Sequence, residues 1–282
     1  MNNYRCLQNS QFYNYLLINL PDRYPIKPYG SWASYEAHEP APWAGKVSSL
    51  SDVDYVTTSF FQKEIFCLVQ DEIDRWSRLC GLTIIGVSLR NSRTINKLWP
   101  GRKPSDTKQH LDSNSYVSLW TMIGILEFAN LVIKTKNILE MVESYAPVKF
   151  FFSIARTLLS AIGINLSTYS SLAFALTKFC SPSALIAALQ VKTGISSEIT
   201  MDDILCLFSS DFYSLIDEVI SDHSVRDLVQ STCELVANWY LKPFKLNIEE
   251  YFSIGIAYVQ NEYQMEALIR AKKKILHDNI IH

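Results

Sequence analysis

From Val53 to about Leu79 the apolar residues Tyr55, Phe60, Ile65, Phe66, Val69, Ile73 and Trp76 recur at roughly helical spacing, which predicts a long helix. The stretch LTIIGVSL that follows fits either a continuation of this helix beyond Gly81 or an isolated strand. After residue 115 the periodicity becomes regular. An amphipathic stretch runs from 115 to 145 and ends before Pro147. Ser181 and Pro182 open a short helix in CSPSALIAALQVKTG, and Gly194 stands just past its end. Thr200 with Asp203, and Ser224 with Asp227, have the spacing of capping boxes at two further helix starts. A last helix starts near Asn247, with Ile248, Tyr251, Phe252, Tyr258, Val259, Met265, Leu268, Ile269 and Ile275 as its core stripe. The predicted fold is all-α, a multi-helix bundle with an irregular Pro- and aromatic-rich N-terminal segment.

Two interruptions organise the chain. KPYGSWASYEAHEPAPWAGK, residues 27–46, has little helical or strand periodicity. It is too poor in glycine, serine and charge for a slack linker. Trp32, Tyr35 and Trp43 offer large rigid anchors, and Pro25, Pro28, Pro40 and Pro42 lower the entropy lost on ordering. It reads as an extended belt, packed on the protein's own helices or on a partner. The second interruption, WPGRKPSDTKQHLDSN (99–114), is the clearest internal loop. It divides an N-terminal part, 1–110, with the belt and one long helix, from a helical domain, 111–282.

With 282 residues, 48% of them hydrophobic, the chain has ample material for a core. Its 26 basic and 28 acidic residues give a net charge of −2, which argues against nucleic acid as a partner. The basic run Lys272–Lys273–Lys274 sits where cations complement a helix C-terminus. Six scattered cysteines form no C-x-x-C pair and suit a reducing, cytoplasmic compartment. The first residues lack the layout of a signal peptide. Stretches 116–133 and 150–166 are apolar enough to raise a membrane span, but Glu127, Asn130 and Arg156 interrupt them. Buried helices of a soluble protein account for both.

Candidate chemistry is sparse. Asp71 and Asp74 stand one helical turn apart, the arrangement that holds magnesium in some all-helical enzymes, although a solvated face beside Arg75 and Arg78 explains them too. IIGVSLRNS resembles the strand-to-serine motif of cyclodipeptide synthases at Ser88, but the tyrosine and glutamate expected further along are missing. The five histidines are isolated from one another, and no phosphate-binding glycine loop is present. No cofactor or metal is expected.

One resemblance is carried by the C-terminal third. SPSALIAALQVKTG, followed by a long helix and then by Tyr258, Glu262, Glu266, Leu268, Arg270 and Lys272, is similar to the closing module of the C subunit (subunit d, or AC39 family) of V/A-type ATPases. LEFANLVIKTKNILEMV (126–142) looks like an internal repeat of the same helical unit. The resemblance spans residues 115–280. It implies a non-catalytic helical coupler between the central shaft and the membrane ion ring, cytoplasmic and reaching the inner face of the membrane only through its partner subunits. Its expected partner-binding residues are Trp32, Tyr35, Trp43, Glu262, Glu266 and Arg270. Two other readings stand beside it: a soluble helical adaptor of another complex, and a magnesium-dependent all-α enzyme using Asp71 and Asp74.

Overall fold

The computed structural model describes residues 19–29, 53–80, 87–91, 112–137, 145–164, 166, 169–192, 196, 198–239, 241, 245–260 and 262–280. The fold is an all-α multi-helix one with a small sheet near its N-terminus. The described elements fall into two compact units.

The first unit holds α1 (Leu20–Arg23), β1 (Ile26–Tyr29), β2 (Val53–Thr57), α2 (Gln62–Cys80) and β3 (Val87–Asn91). β1 pairs antiparallel with β2, and β2 pairs parallel with β3, Tyr55 lying opposite Leu89. Two corrections to the sequence reading follow. The helix expected from Val53 starts only at Gln62, because VDYVT is strand, with Tyr55 and Thr57 turned inward at period two. Ser59 N–H donates to Thr57 Oγ1 and Phe61 N–H to Ser59 Oγ, a side-chain turn that separates strand from helix. VSLRN is a paired strand rather than an isolated one. Parallel strands need a crossover, and α2 supplies it, burying Ile65, Val69 and Ile73 at four-residue intervals. Pro28 is tolerated because β1 is an edge strand. Gln62 Nε2 donates to Leu89 O at 2.7 Å, and Arg23 and Tyr24 both reach Glu72, at 2.8 and 2.5 Å.

The second unit is helical throughout its described residues: α3 (Ser113–Asn137), α4 (Tyr145–Ala161), α5 (Tyr169–Leu176), α6 (Pro182–Lys192), α7 (Met201–Leu207), α8 (Ser210–Val219), α9 (His223–Ala237), α10 (Ile248–Ala257) and α11 (Glu262–Ile280). α3 packs against α4, α9, α10 and α11. Its segment Ser113–Ile133 is long and apolar enough to cross a membrane, yet 83% of its most apolar stretch is buried by its neighbours. On the other side of α4 lie α5 to α8. Edge-to-face rings fill the interior: Trp239 on Phe128 at 5.6 Å, Phe208 on Phe151 at 5.5 Å, and Tyr169 on Phe152 at 5.3 Å. Much of the chain's aromatic surplus is therefore spent on its own core.

Several helix ends differ from the sequence reading. The amphipathic stretch expected to run to 145 leaves the helix at Asn137, and Pro147 lies in the first turn of α4, where its missing N–H has no helical partner to lose. Thr200 caps α7 as expected, accepting from Asp203 N–H at 3.0 Å. The cap of α9 is Asp222 instead of Ser224: its Oδ1 accepts from the backbone of Ser224 and Val225. Asn247 does cap the next helix, but that helix stops at Ala257 and a second one begins at Glu262. Gln264 is buried there, and its Oε1 accepts Gln260 N–H at 2.7 Å. A carbonyl from the next helix thus fills the role a continuing turn would have had.

Candidate functional site

Of the expected contact residues, the structure describes the three on the terminal helix. α11 buries Gln264, Leu268, Ala271 and Ile275 on one stripe. Glu262 and Glu266 are exposed and Arg270 half-buried on the other side; Arg270 and Glu266 pair with each other at 2.7 Å. The inner stripe meets α10 very closely. A Cβ at Gly255 would lie 2.9 Å from Leu268 Cδ1 and 3.2 Å from Met122 Cβ, so only glycine allows α3, α10 and α11 this separation. Lys272 clasps α10 from outside, 2.6 Å from Glu249 Oε2 and 4.2 Å over the Phe252 ring. The lysine run is thus partly a structural fastener.

The three other expected contact residues, Trp32, Tyr35 and Trp43, lie outside the described residues. Asp71 is exposed on α2, and the side chain of Asp74 is also outside the described set. Glu72 points the other way, to Arg23 and Tyr24. Among the described residues no group of three or more His, Cys, Asp or Glu side chains is placed to hold a metal ion. A cavity of about 10 Å³ beside Gly124, Phe128 and Lys149 has room for a single water.

Sequence reasoning missed two features. The first is a run of large apolar side chains left in solvent where α2 begins: Phe60 is 83% exposed, Phe61 68% and Leu68 51%. The helical period hid it, because Phe60 was counted into a buried stripe. The second is a cationic cluster at the junction of α4, α5 and α6. Tyr145, Lys149 and Arg156 share one face of α4, Tyr169 opens α5, and Lys192 closes α6. Lys192 Nζ donates to Tyr145 Oη at 2.6 Å and lies 4.7 Å and 4.9 Å from the Tyr145 and Tyr169 ring centres. Arg156 also lies over the Tyr169 ring, its Cζ 4.9 Å from the ring centre, while its buried Nε has no hydrogen-bond partner.

Electrostatics in this cluster are coupled. Burial pushes the Tyr169 phenol up, but Lys192, Arg156 and Lys149 outweigh it and leave the group below its ordinary value. Burial likewise disfavours charge on Lys192; the oxygens of Tyr145 and Tyr169 outweigh that too, against opposition from Lys149, and hold the ammonium above its ordinary value. A sequence signal was available. Between Glu143 and Glu198 there is no carboxylate, while Lys149, Arg156, Lys178 and Lys192 supply four cations.

Comparison of the chain with protein-family models, with curated proteins and with solved structures gives no match in any of the three.

Proposed function

We propose that this chain is a non-catalytic helical binding subunit that works through contact with a protein partner. The observation that carries this reading is the exposure of Phe60, Phe61 and Leu68, three large apolar side chains near the start of one helix. Clustered apolar side chains of this size favour burial against another surface, at about 1.5–3 kcal/mol for each one fully covered. The test is an affinity pull-down of the tagged chain in mild detergent, run beside a Phe60→Ser/Phe61→Ser variant. A partner set captured by the wild type and lost from the soluble, folded variant supports the reading. Identical capture by both sinks it.

Within that class, the narrower reading is a coupling subunit of a V/A-type ATPase, cytoplasmic and held at the membrane by its partners. It is supported by the residue pattern of α6 and α11, and by an α11 whose outer face, with Glu262, Glu266 and Arg270, is free of the core. Recovery of the ATPase catalytic, shaft and ring subunits in the same pull-down is its expected result. An unrelated set of partners favours the soluble adaptor, for which the exposed α2 residues speak equally well.

A further inference from the structure

The solvent side of α2 carries a periodicity of its own. Phe61, Glu64, Leu68, Asp71 and Arg75 follow one another at intervals of three and four residues, and all five are exposed. Phe61 belongs to the helical frame, because its carbonyl accepts Ile65 N–H at 3.1 Å. The row is a narrow seam of the coiled-coil type, separate from the buried stripe of Ile65, Val69 and Ile73. Among the described residues no salt bridge uses Glu64, Asp71 or Arg75. Phe60 and Phe61, 83% and 68% exposed, together leave about 300 Å² of surface in water, at about 200 Å² per phenylalanine.

Resting on the binding reading above, we propose that the partner covering this seam is a second copy of the same chain, its α2 antiparallel to the first across a two-fold axis. Charge order selects both the occupant and the direction. A parallel pair would set Glu64, Asp71 and Arg75 each against its own copy, like charge on like. Reversing one helix sets Glu64 of each chain opposite Arg75 of the other, and the two-fold makes that ion pair twice. The same register sets Leu68 opposite Asp71, and the two Leu68 side chains flank the axis about 4.5 Å apart along it. Phe61, one turn beyond Glu64, packs beside the same arginine, whose guanidinium suits a ring face. The rings of two copies contribute about 600 Å², half of what the smallest stable interfaces bury, and Leu68 with the flanking charges makes up the remainder. A seam apolar at Phe61 and Leu68 and charged between them makes a reversible dimer, not a permanent one.

The experiment is sedimentation equilibrium of the full chain from about 1 to 100 μM, the range in which an interface of this size dissociates. The expected result is a concentration-dependent dimer. Leu68→Glu weakens it about tenfold or more. Glu64→Arg and Arg75→Glu each weaken it, the double variant Glu64→Arg/Arg75→Glu recovers it, and the two single variants mixed together associate more tightly than either does alone. A folding defect cannot produce that recovery. Cys67 is exposed beside the seam, and in this register lies about 7.5 Å along the axis from its copy. A short bismaleimide therefore links two chains, and Cys67→Ser abolishes the link. A wild type that stays monomeric throughout overturns the proposal. So does a dimer that survives Leu68→Glu, that the charge exchange does not restore, or that Cys67 does not link. The broader binding reading fails separately: a monomer whose capture of other proteins is still lost on Phe60→Ser/Phe61→Ser keeps that reading and removes only the second copy.

Discussion

Replacing Gly255 with alanine sets two effects of known size against each other. Alanine is preferred over glycine inside a helix by about 1 kcal/mol, so propensity alone predicts a gain. The new methyl carbon would sit 2.9 and 3.0 Å from the two Cδ atoms of Leu268 and 3.2 Å from Met122 Cβ. Rotating Leu268 merely exchanges one methyl for the other, and both Leu268 and Met122 are fully buried, so neither can swing into solvent. Met122 Cβ moves only with the α3 backbone. Overpacking of this kind costs about 1–3 kcal/mol, which outweighs the propensity gain in most of its range. The expected net is a loss of about 1 kcal/mol, or a melting temperature lower by about 2–4 °C for a unit of this size. Gly124 on α3 is the internal control. Its added Cβ would meet Phe150 Cε2 at 3.4 Å and Ile154 Cδ1 at 3.6 Å, ordinary contact distances. Gly124→Ala should therefore stabilise, by about 0.5–1 kcal/mol. Urea unfolding followed by circular dichroism measures both, with unchanged m-values as the check that ΔG is comparable. A third variant closes the argument. Leu268→Ala alone costs about 2–5 kcal/mol, but in combination with Gly255→Ala the two changes partly fill each other's space, so their sum overstates the double mutant's loss by about 0.5–3 kcal/mol. If Gly255→Ala stabilises as much as Gly124→Ala, or if the double mutant is strictly additive, the close approach of α10 to α11 is not as described.

Two smaller predictions test burial and charge. Cys67 and Cys206 are exposed, whereas Cys180 and Cys233 are buried, with burial and then Asp211 pushing the Cys180 thiol up to about 12. Brief alkylation of the native protein should modify the first pair and spare the second until denaturant is added; early labelling of Cys233 by mass spectrometry would contradict the packing of α9. Asp222 is held below its usual 3.8 by the Ser224 side chain, the Val225 and Ser224 amides and His223, so its stabilising effect is present above that value and disappears as pH falls through its folded pKa. Asp222→Asn keeps an acceptor at the cap without the titration, and its stability should fall less steeply with acid than the wild type's; parallel curves would remove the cap from the account.

How much of this was legible in the sequence depends on how many neighbours each element has. α6 and α7 were readable because their start signals are local: Ser181 and Pro182 precede and open α6, and Thr200 accepts from Asp203 N–H at the start of α7. β2 was misread because five residues of strand and a helix with the same apolar residues differ only in period, and Tyr55 fits both. The parallel partner that makes VDYVT a strand comes from VSLRN, across the whole of α2, and no local rule sees that far. The split between α10 and α11 was invisible for a similar reason: Gln264 is a good helix former, and only its bond to Gln260 N–H shows that it ends one helix from inside the next. As for the candidate surfaces, Glu266 and Arg270 were singled out by pattern, and the structure shows them paired with each other on α11, whereas the cationic cluster draws on three helices and had only the missing carboxylates to betray it.

The hydropathy of α3 has a physical consequence for the outer face of α11. A helix apolar on all sides is at home either in lipid or at the centre of a protein. Here α4, α9, α10 and α11 pack against it, and two of its hydroxyls bond the helix's own carbonyls: Ser118 Oγ donates to Asn114 O and Thr121 Oγ1 to Val117 O, both at 2.8 Å. Removing either flank would expose Met122, Ile125 and Leu126, all with no solvent contact in the intact unit. Each would cost about 1.5–3 kcal/mol if left in water, so α10 and α11 cannot detach from α3 without a large fraction of a typical domain's stability being lost. Glu262, Glu266 and Arg270 are accordingly presented on a helix that is fixed before any partner arrives. Binding there would carry little ordering entropy, and mutations on that face should change affinity while leaving the fold's stability nearly unaltered, since the one ion pair among them is exposed and contributes at most about 1 kcal/mol.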